Sequence, residues 1–431
     1  MQIDKGVVGQ PKQGRLNPAK LVLAGAAVSL LVLSLVTQAP GVSQWCRKYN
    51  SDCTLCHTGF PRLTYYGEKF MRNGFQLEGS QDGDEEGKKQ VDQRLWIDQI
   101  ENFFGIRLSF TPLQVKTNAI TVDGDKKTSV DIGQTDWVQL FTAGTIFKNT
   151  SIFIETELQT ESQKVKNNWF TLGFHNLLGT QGVANLRLGQ ISALEWHSTS
   201  GRLRMIPNVK VDAVEFKPSA GKGEDSPTLA AGMPGVEFYG YKGPVVYSAG
   251  VVNGGSFTDK NVDKNVFGTL RLEKTAGNLE GSAITFWGMR GVDTDSTASA
   301  TTIQQRNIYW RLSPGFNLRH KGLDIAASFF YGEDDNWTLV NTGKVNNIFR
   351  AASVQVGYIF TPAWYAVLQY DKVETENSKT LESHKLTPSV WFFPRSNMRL
   401  GLTGRIDLQE EEPIIHPDKL HEFIITIRTM L

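Results

Sequence analysis

Two thiols and an imidazole stand together at Cys53-Thr-Leu-Cys56-His57, the spacing with which a chain holds a covalently attached c-type haem. That chemistry asks for two thiols that reach the two vinyl groups of a porphyrin, and for a histidine beside the second thiol that ligates the iron from one face. A C-x-x-C pair alone leaves zinc or thiol–disulfide exchange open. The adjacent His57 points instead to one haem c, with Cys53 and Cys56 as anchors and His57 as the proximal iron ligand. Of the 3 cysteines in 431 residues, Cys46 is left over and is given no role.

Thioether attachment takes place outside the cytoplasm, and the N-terminus reads as an export signal. Lys5, Lys12, Arg15 and Lys20 precede the apolar run Leu21 to Val36, and "TQAPGVS" supplies small residues for cleavage near 39–43. The expected signal peptide is 1–43; an uncleaved inner-membrane anchor is the alternative. A formal net charge of +1 gives no bulk electrostatic pull toward nucleic acid, so no nucleic-acid partner is expected. After Pro40 no apolar run approaches the length of a transmembrane helix, so a mature chain that enters a membrane does so as a barrel.

The alternation of side chains supports that architecture. In "MRLGLTGRIDL" Met398, Leu400, Leu402, Ile406 and Leu408 share one parity, while Arg399, Thr403, Arg405 and Asp407 share the other. "WYAVLQYDK" repeats the pattern with aromatics at both ends, and "HEFIITIRTML" closes the chain on it. Comparable segments recur at 135–147, 150–160, 168–176, 183–191, 234–241, 244–252, 265–274, 280–290, 304–312, 322–332, 348–360 and 385–393. With a first strand within 104–122 the count is sixteen. Connections alternate between tight ones ("KN", "YKG", "TPA", "PRSN") and long polar ones ("DGDKKTSVDIG", "EDDNWTLVNTGKVN", "QEEEPIIHPDK"). Short turns on one side and long loops on the other are what outer-membrane barrels show, with the short turns and both termini on the periplasmic side.

The expected fold is therefore all-β: an antiparallel transmembrane barrel of about sixteen strands over 104–431. A small haem segment (44–79) and an acidic linker (80–103) precede it. Ser192 to Met233 breaks the rhythm and is expected to fold into the pore or to lie over its mouth, with a mobile outer loop as the plain alternative. The haem segment has about 36 residues, too few to bury a core alone. Phe60, Leu63, Tyr65, Tyr66, Phe70 and Phe75 need a wall, and the periplasmic mouth of the barrel would supply one. The acidic clusters Glu333–Asp335 and Glu410–Glu412 are expected in outer loops, where they would concentrate cations or simply be solvated.

"CTLCHTGFPRLTYYGEKFMRNGF" resembles the N-terminal segment of the fused monohaem cytochrome–porins of bacterial outer membranes, whose members include iron-oxidising cytochromes. The likeness is carried by C-x-x-C-H and by Phe60, Pro61, Leu63, Tyr66, Gly67, Lys69, Phe70, Asn73, Gly74 and Phe75. Phe75 stands where Tyr is usual, and Leu431 where a terminal Phe is usual. The motif does not name a second axial ligand; Met71 is the nearest thioether, and His175 and His197 are further candidates. The resemblance implies an electron conduit in the outer membrane of a diderm bacterium, with the haem segment on the periplasmic side. Electrons would pass from extracellular Fe(II) or another reductant to a periplasmic cytochrome or cupredoxin. Two other readings compete: a haem-plugged diffusion porin without net electron transfer, and a tethered periplasmic cytochrome with a soluble β domain.

Overall fold

The computed structural model describes residues 43–59, 61–77, 89–93, 95–118, 127–159, 164–179, 181–200, 203–215, 228–254, 262–294, 306–339, 343–377, 381–409 and 420–431. Apart from Ser43, the expected signal peptide lies outside them, as do Phe60 and the Glu410–Glu412 cluster.

The N-terminal segment forms α1 (Gln44–Tyr49), a 3-10 turn (Cys53–Leu55), the hairpin β1 (His57–Gly59) and β2 (Arg62–Leu63), and α2 (Tyr65–Arg72). A small pair, β3 (Lys89–Asp92) and β4 (Leu95–Ile97), follows. Sixteen antiparallel strands then close into one barrel. These are β5 (Phe104–Asn118), β6 (Lys127–Phe147), β7 (Thr150–Gln159), β8 (Lys164–Phe174), β9 (Asn185–Ser192), β10 (Gly232–Lys242), β11 (Val245–Val252) and β12 (Asn265–Glu273). The circuit continues through β13 (Ala283–Thr294), β14 (Arg306–His320), β15 (Leu323–Asp334), β16 (Asn347–Thr361), β17 (Trp364–Thr375), β18 (Ser383–Arg395), β19 (Met398–Asp407) and β20 (Leu420–Met430). Each of the sixteen expected segments is a strand. The ring closes where β20 pairs with β5, and Ile106 and Leu431 exchange backbone bonds of 2.9 and 2.7 Å.

Parity decides which face each side chain takes. On β19, Leu402 and Ile406 are exposed while Arg399, Thr403 and Asp407 are buried. On β17, Trp364 and Leu368 face out while Tyr365, Gln369 and Asp371 face in. The outer wall is apolar, and ring pairs stand near both of its ends: Trp310 with Tyr331 at 5.3 Å toward the long loops, and Trp364 with Phe392 at 4.8 Å toward the short turns. Such a wall on a closed barrel suits lipid and excludes the soluble β-domain reading. The short turns share one end with Phe104 and Leu431.

Two strands run eight residues beyond expectation, β6 at its start and β14 at its end. β6 starts eight residues before 135, in a stretch expected as part of a long polar connection: in "KTSVDIGQ" only Val130 and Ile132 mark the outward parity, too short an alternation to stand out among its polar neighbours. β14 runs past 312 through Pro314, which lacks a donor; the β14–β15 ladder skips Ser313 and Pro314 and resumes at Gly315–Ser328. The same lapse lets Pro388 into β18, where pairing with β19 jumps from Leu386 to Ser389.

The described parts of the segment after β9 (192–200, 203–215 and 228–233) fold into the lumen, the first of the positions expected for it. Ser192 to Ser200 is buried throughout, and Leu194, Val211, Val214 and Met233 pack with Trp287, Phe330 and Phe349 of the inner wall. A short α3 (Asp212–Glu215) lies within it, and Asp212 accepts from Ser383 and pairs with Lys385 at 3.1 Å. Asp334 corrects the expectation of a solvated acidic cluster: it is buried at the end of β15, taking bonds from Arg311 (2.8 Å) and Asn307 (2.7 Å).

Candidate functional site: a docked C-x-x-C-H segment

Residues 43–59 and 61–77 sit inside the short-turn mouth, held by side chains from the surrounding strand ends. Arg62 forms a two-pronged pair with Asp324 (2.7 and 2.6 Å) and donates to the Leu203 carbonyl of the inner loop at 2.9 Å. On α2, Glu68 accepts from Arg271 (2.8 Å) and Arg319 (2.6 Å), and Arg72 reaches Glu273 at 3.0 Å. The Tyr239 hydroxyl donates to the Arg72 carbonyl at 2.9 Å. All three plug side chains are at most 4% exposed, so each charge depends on its partners for solvation. Burial alone would raise the Glu68 carboxyl, but Arg271 and Arg319, aided by Arg72 and Arg62, hold it down at about 2.

Local structure presents the motif on this anchored base. Thr64 caps α2 by accepting from Gly67 N at 3.0 Å, and its own backbone N–H donates to the Cys56 carbonyl at 2.9 Å. A Cβ at Gly67 would stand 2.1 Å from that carbonyl oxygen, so only glycine lets the helix approach the turn. α2 ends with Gly74 and Phe75 both at positive φ, and a Cβ on Gly74 would meet the His175 ring at 2.3 Å. This exit turns Phe75 onto Trp45 (4.8 Å, stacked) and onto Phe153 of the barrel (5.5 Å). Tyr65 and Phe70 are also buried, so the segment has the wall its aromatics require.

The donor set fits a c-type haem. Cys53 and Cys56 are unbridged and half-buried on one 3-10 turn, with His57 directly after it. Burial, then the Arg399 charge, pushes His57 down to about 4, which leaves the neutral imidazole that iron ligation needs at neutral pH. Burial raises the Cys56 thiol to about 12. Cys46 has an unforeseen neighbour: its Sγ lies 3.1 Å from Cys53 Sγ and accepts from Ser43 Oγ at 3.1 Å. The shared bond lowers Cys46 to about 7 and raises Cys53.

Each of the three distal candidates packs against or hydrogen-bonds other side chains of the lumen. Met71 packs with Trp196 and Tyr239 beside a cavity of about 10 Å³, room for one water. His175 is buried between the Ser151 hydroxyl (2.7 Å) and the Tyr239 hydroxyl (3.0 Å). His197 bonds Ser313 Oγ at 3.1 Å and accepts from Thr199 N at 3.2 Å. His57 instead lies within the fields of Arg399 and Arg107. Among the described residues no three His, Cys, Asp or Glu side chains converge as a metal site. The anchors Arg62, Glu68 and Arg72 were not singled out in the sequence; the helical spacing of Glu68 and Arg72, opposite lumen-parity Arg271 and Glu273, is the signal that could have found them.

No family model matches the chain, and no curated protein does. Solved porins share its fold. The anion-selective porin from Comamonas acidovorans superposes with a TM-score of 0.54 at 9% identity, covering 76% of this chain and 99% of that one. OmpF of Salmonella typhi, in complex with daunomycin, gives 0.52 at 11% identity, covering 76% and 97%. From the sixteen-strand closure, the apolar outer wall and these likenesses, the chain is a β-barrel of the outer-membrane porin fold.

Proposed function

We propose that this barrel is an electron conduit of the fused cytochrome–porin type, whose N-terminal segment closes the pore and holds one haem c. The observation that carries the reading is the docking of the C-x-x-C-H turn in the short-turn mouth of a lumen that the loop after β9 fills further in. Such a filled barrel is poorly suited to solute passage. When bound, the haem supplies one-electron exchange between extracellular Fe(II) and a soluble periplasmic cytochrome or cupredoxin. Cys53 and Cys56 hold the porphyrin, and His57 presents a neutral nitrogen to the iron. The Arg62, Glu68 and Arg72 pairs fix the segment against the wall, and the inner loop excludes bulk water. In this reading the short turns and both termini face the periplasm.

A second reading, a diffusion porin whose docked segment is a structural staple, is favoured by the fold likeness alone. Sealed proteoliposomes separate the two. A conduit reduces its haem with external Fe(II), passes the electron to a cytochrome trapped inside, and admits sugars no faster than empty vesicles do. A haem that stays oxidised under excess Fe(II) yet is reduced by dithionite, in vesicles that swell with sugars, would establish the porin instead.

A further inference from the structure

Cys46 is the one cysteine outside the C-x-x-C-H motif, yet the chain around it is shaped to bring it to Cys53. α1 carries it on a buried face with Gln44, and it is 9% exposed. Asn50 ends that helix in the left-handed region at φ 45°, and Ser51 N donates back to the Cys46 carbonyl at 3.1 Å. Asp52 then accepts from Thr54 N at 2.8 Å, which opens the 3-10 turn and returns Cys53 to α1. The two sulfurs meet at 3.1 Å, and Ser43 Oγ donates to Cys46 Sγ at the same distance.

The two thiols differ in access. Cys53 is half-buried with Asp52, Thr54 and Leu55 exposed around it, whereas Cys46 is buried. A protein sulfur that approaches the turn therefore meets Cys53 first, and Cys46 is placed as the second thiol of an exchange. A disulfide needs the sulfurs to close by only about 1 Å. The backbone bonds already hold the loop 46–53 shut, so little chain entropy opposes the bond.

We infer that Cys46 and Cys53 form a thiol–disulfide exchange site, in which a disulfide between them closes Cys53 to haem until a protein dithiol of the same compartment opens it. The bond itself stands on the geometry; its consequence rests on the haem reading above. In that reading the segment faces the periplasm, an oxidising compartment. Oxidation starts when the Cys53 thiolate attacks the disulfide of an oxidising partner protein. The partner's S–S bond breaks, one of its sulfurs stays on Cys53, and the other leaves as a thiolate. The Cys46 thiolate then attacks the Cys53 sulfur, the Cys46–Cys53 bond forms, and the partner departs as a dithiol. It holds the two electrons, and its thiolates take up the two protons that Cys46 and Cys53 lost. A reduced dithiol partner runs the same steps backward. Thioether formation adds a thiol across a vinyl group, so Cys53 in a disulfide takes no part in it.

The test is disulfide mapping of full-length protein from cells that lack c-type cytochrome assembly. Thiols are alkylated at lysis, and the folded, heat-modifiable barrel is selected before digestion. Wild type should yield a Cys46–Cys53 cross-linked peptide, two hydrogens lighter than its reduced parts, with Cys56 alone alkylated. Cys56→Ser should keep the cross-link and take no label. Three labelled cysteines in wild type, or a cross-link that joins Cys53 to Cys56 instead, overturn the inference and leave the haem reading standing. If Cys56→Ser fails to insert, the wild-type map decides alone. In cells that attach haem, added dithiol should raise the initial rate of attachment at least about threefold in wild type and leave that of Cys46→Ser unmoved. If dithiol moves both rates equally, or neither, the closing of Cys53 is overturned even where the cross-link is present. Absence of covalent haem from all of these proteins overturns the haem reading and that consequence with it, while the map decides the bond.

Discussion

The inner wall of this barrel has two arcs built on opposite terms. Along β12 to β17 the lumen parity carries Phe267, Trp287, Tyr309, Phe330, Phe349 and Val373, all buried against the chain's own inward loop. Along β19, β20 and β5 it carries Arg399, Arg428 and Arg107, buried beside the same inward loop, whose Asn208 donates to Thr426 of β20 at 2.8 Å. Apolar residues at lumen parity thus mark where the protein fills its own pore. Arginines at that parity instead bury like charges opposite one another across the ladder.

The largest effect is expected on the apolar arc. Phe330 is fully buried, with Trp287 edge-on at 6.2 Å and His197 at 5.3 Å. Phe330→Ala should cost about 3–5 kcal/mol, read as a lower unfolding temperature on heat-modified gels; an unchanged transition would mean that the loop does not pack there. The docked segment comes next. Glu68→Gln leaves Arg271 and Arg319 facing an uncharged partner and should weaken docking by about 3 kcal/mol, seen as protease access to 43–77 from the short-turn side. The same carboxylate sets a pH window. Its folded value, about 2, lies below the ordinary 4.5, so its contribution is complete above pH 4.5 and is lost as pH falls from there toward 2. Docking in Glu68→Gln should lose that dependence.

The basic arc sharpens the contrast by its opposite sign. In haem-free protein Arg428→Leu should be neutral or stabilising by about 1–2 kcal/mol, because it relieves repulsion without breaking an ion pair. A loss like that of Phe330→Ala would make the cluster structural. The smallest effect is expected at Cys46. Closing its 3.1 Å approach to Cys53 into a disulfide would withdraw Cys53 from haem attachment, so Cys46→Ser should leave haem content equal or slightly raised under oxidising expression. A fall in haem content would give Cys46 a part in loading.

The outer face was the legible part of the sequence, because lipid demands one apolar parity whatever lies inside. β13 alternates poorly as a string because Trp287 and Met289 face inward, and they do so because the loop after β9 covers them. A parity argument sees each strand alone and cannot know that a distant loop occupies the pore. The C-x-x-C-H spacing was legible as a local motif, and the need for a wall followed from the segment's length. What could not be read was the wall itself: Arg62 meets Asp324, and Glu68 meets Arg271 and Arg319, across more than 200 positions of chain. Cys46 was set aside because its neighbour Cys53 is brought to it by the fold of the turn, not by any motif.

Whether the docked segment carries a covalent haem is read directly by the intact mass of protein extracted from membranes. One haem added to the processed chain, with a haemochrome spectrum that disappears in Cys53→Ala/Cys56→Ala while the barrel still migrates as folded, is the predicted result. A wild-type mass equal to the polypeptide alone, from cells competent in c-type cytochrome assembly, would contradict it.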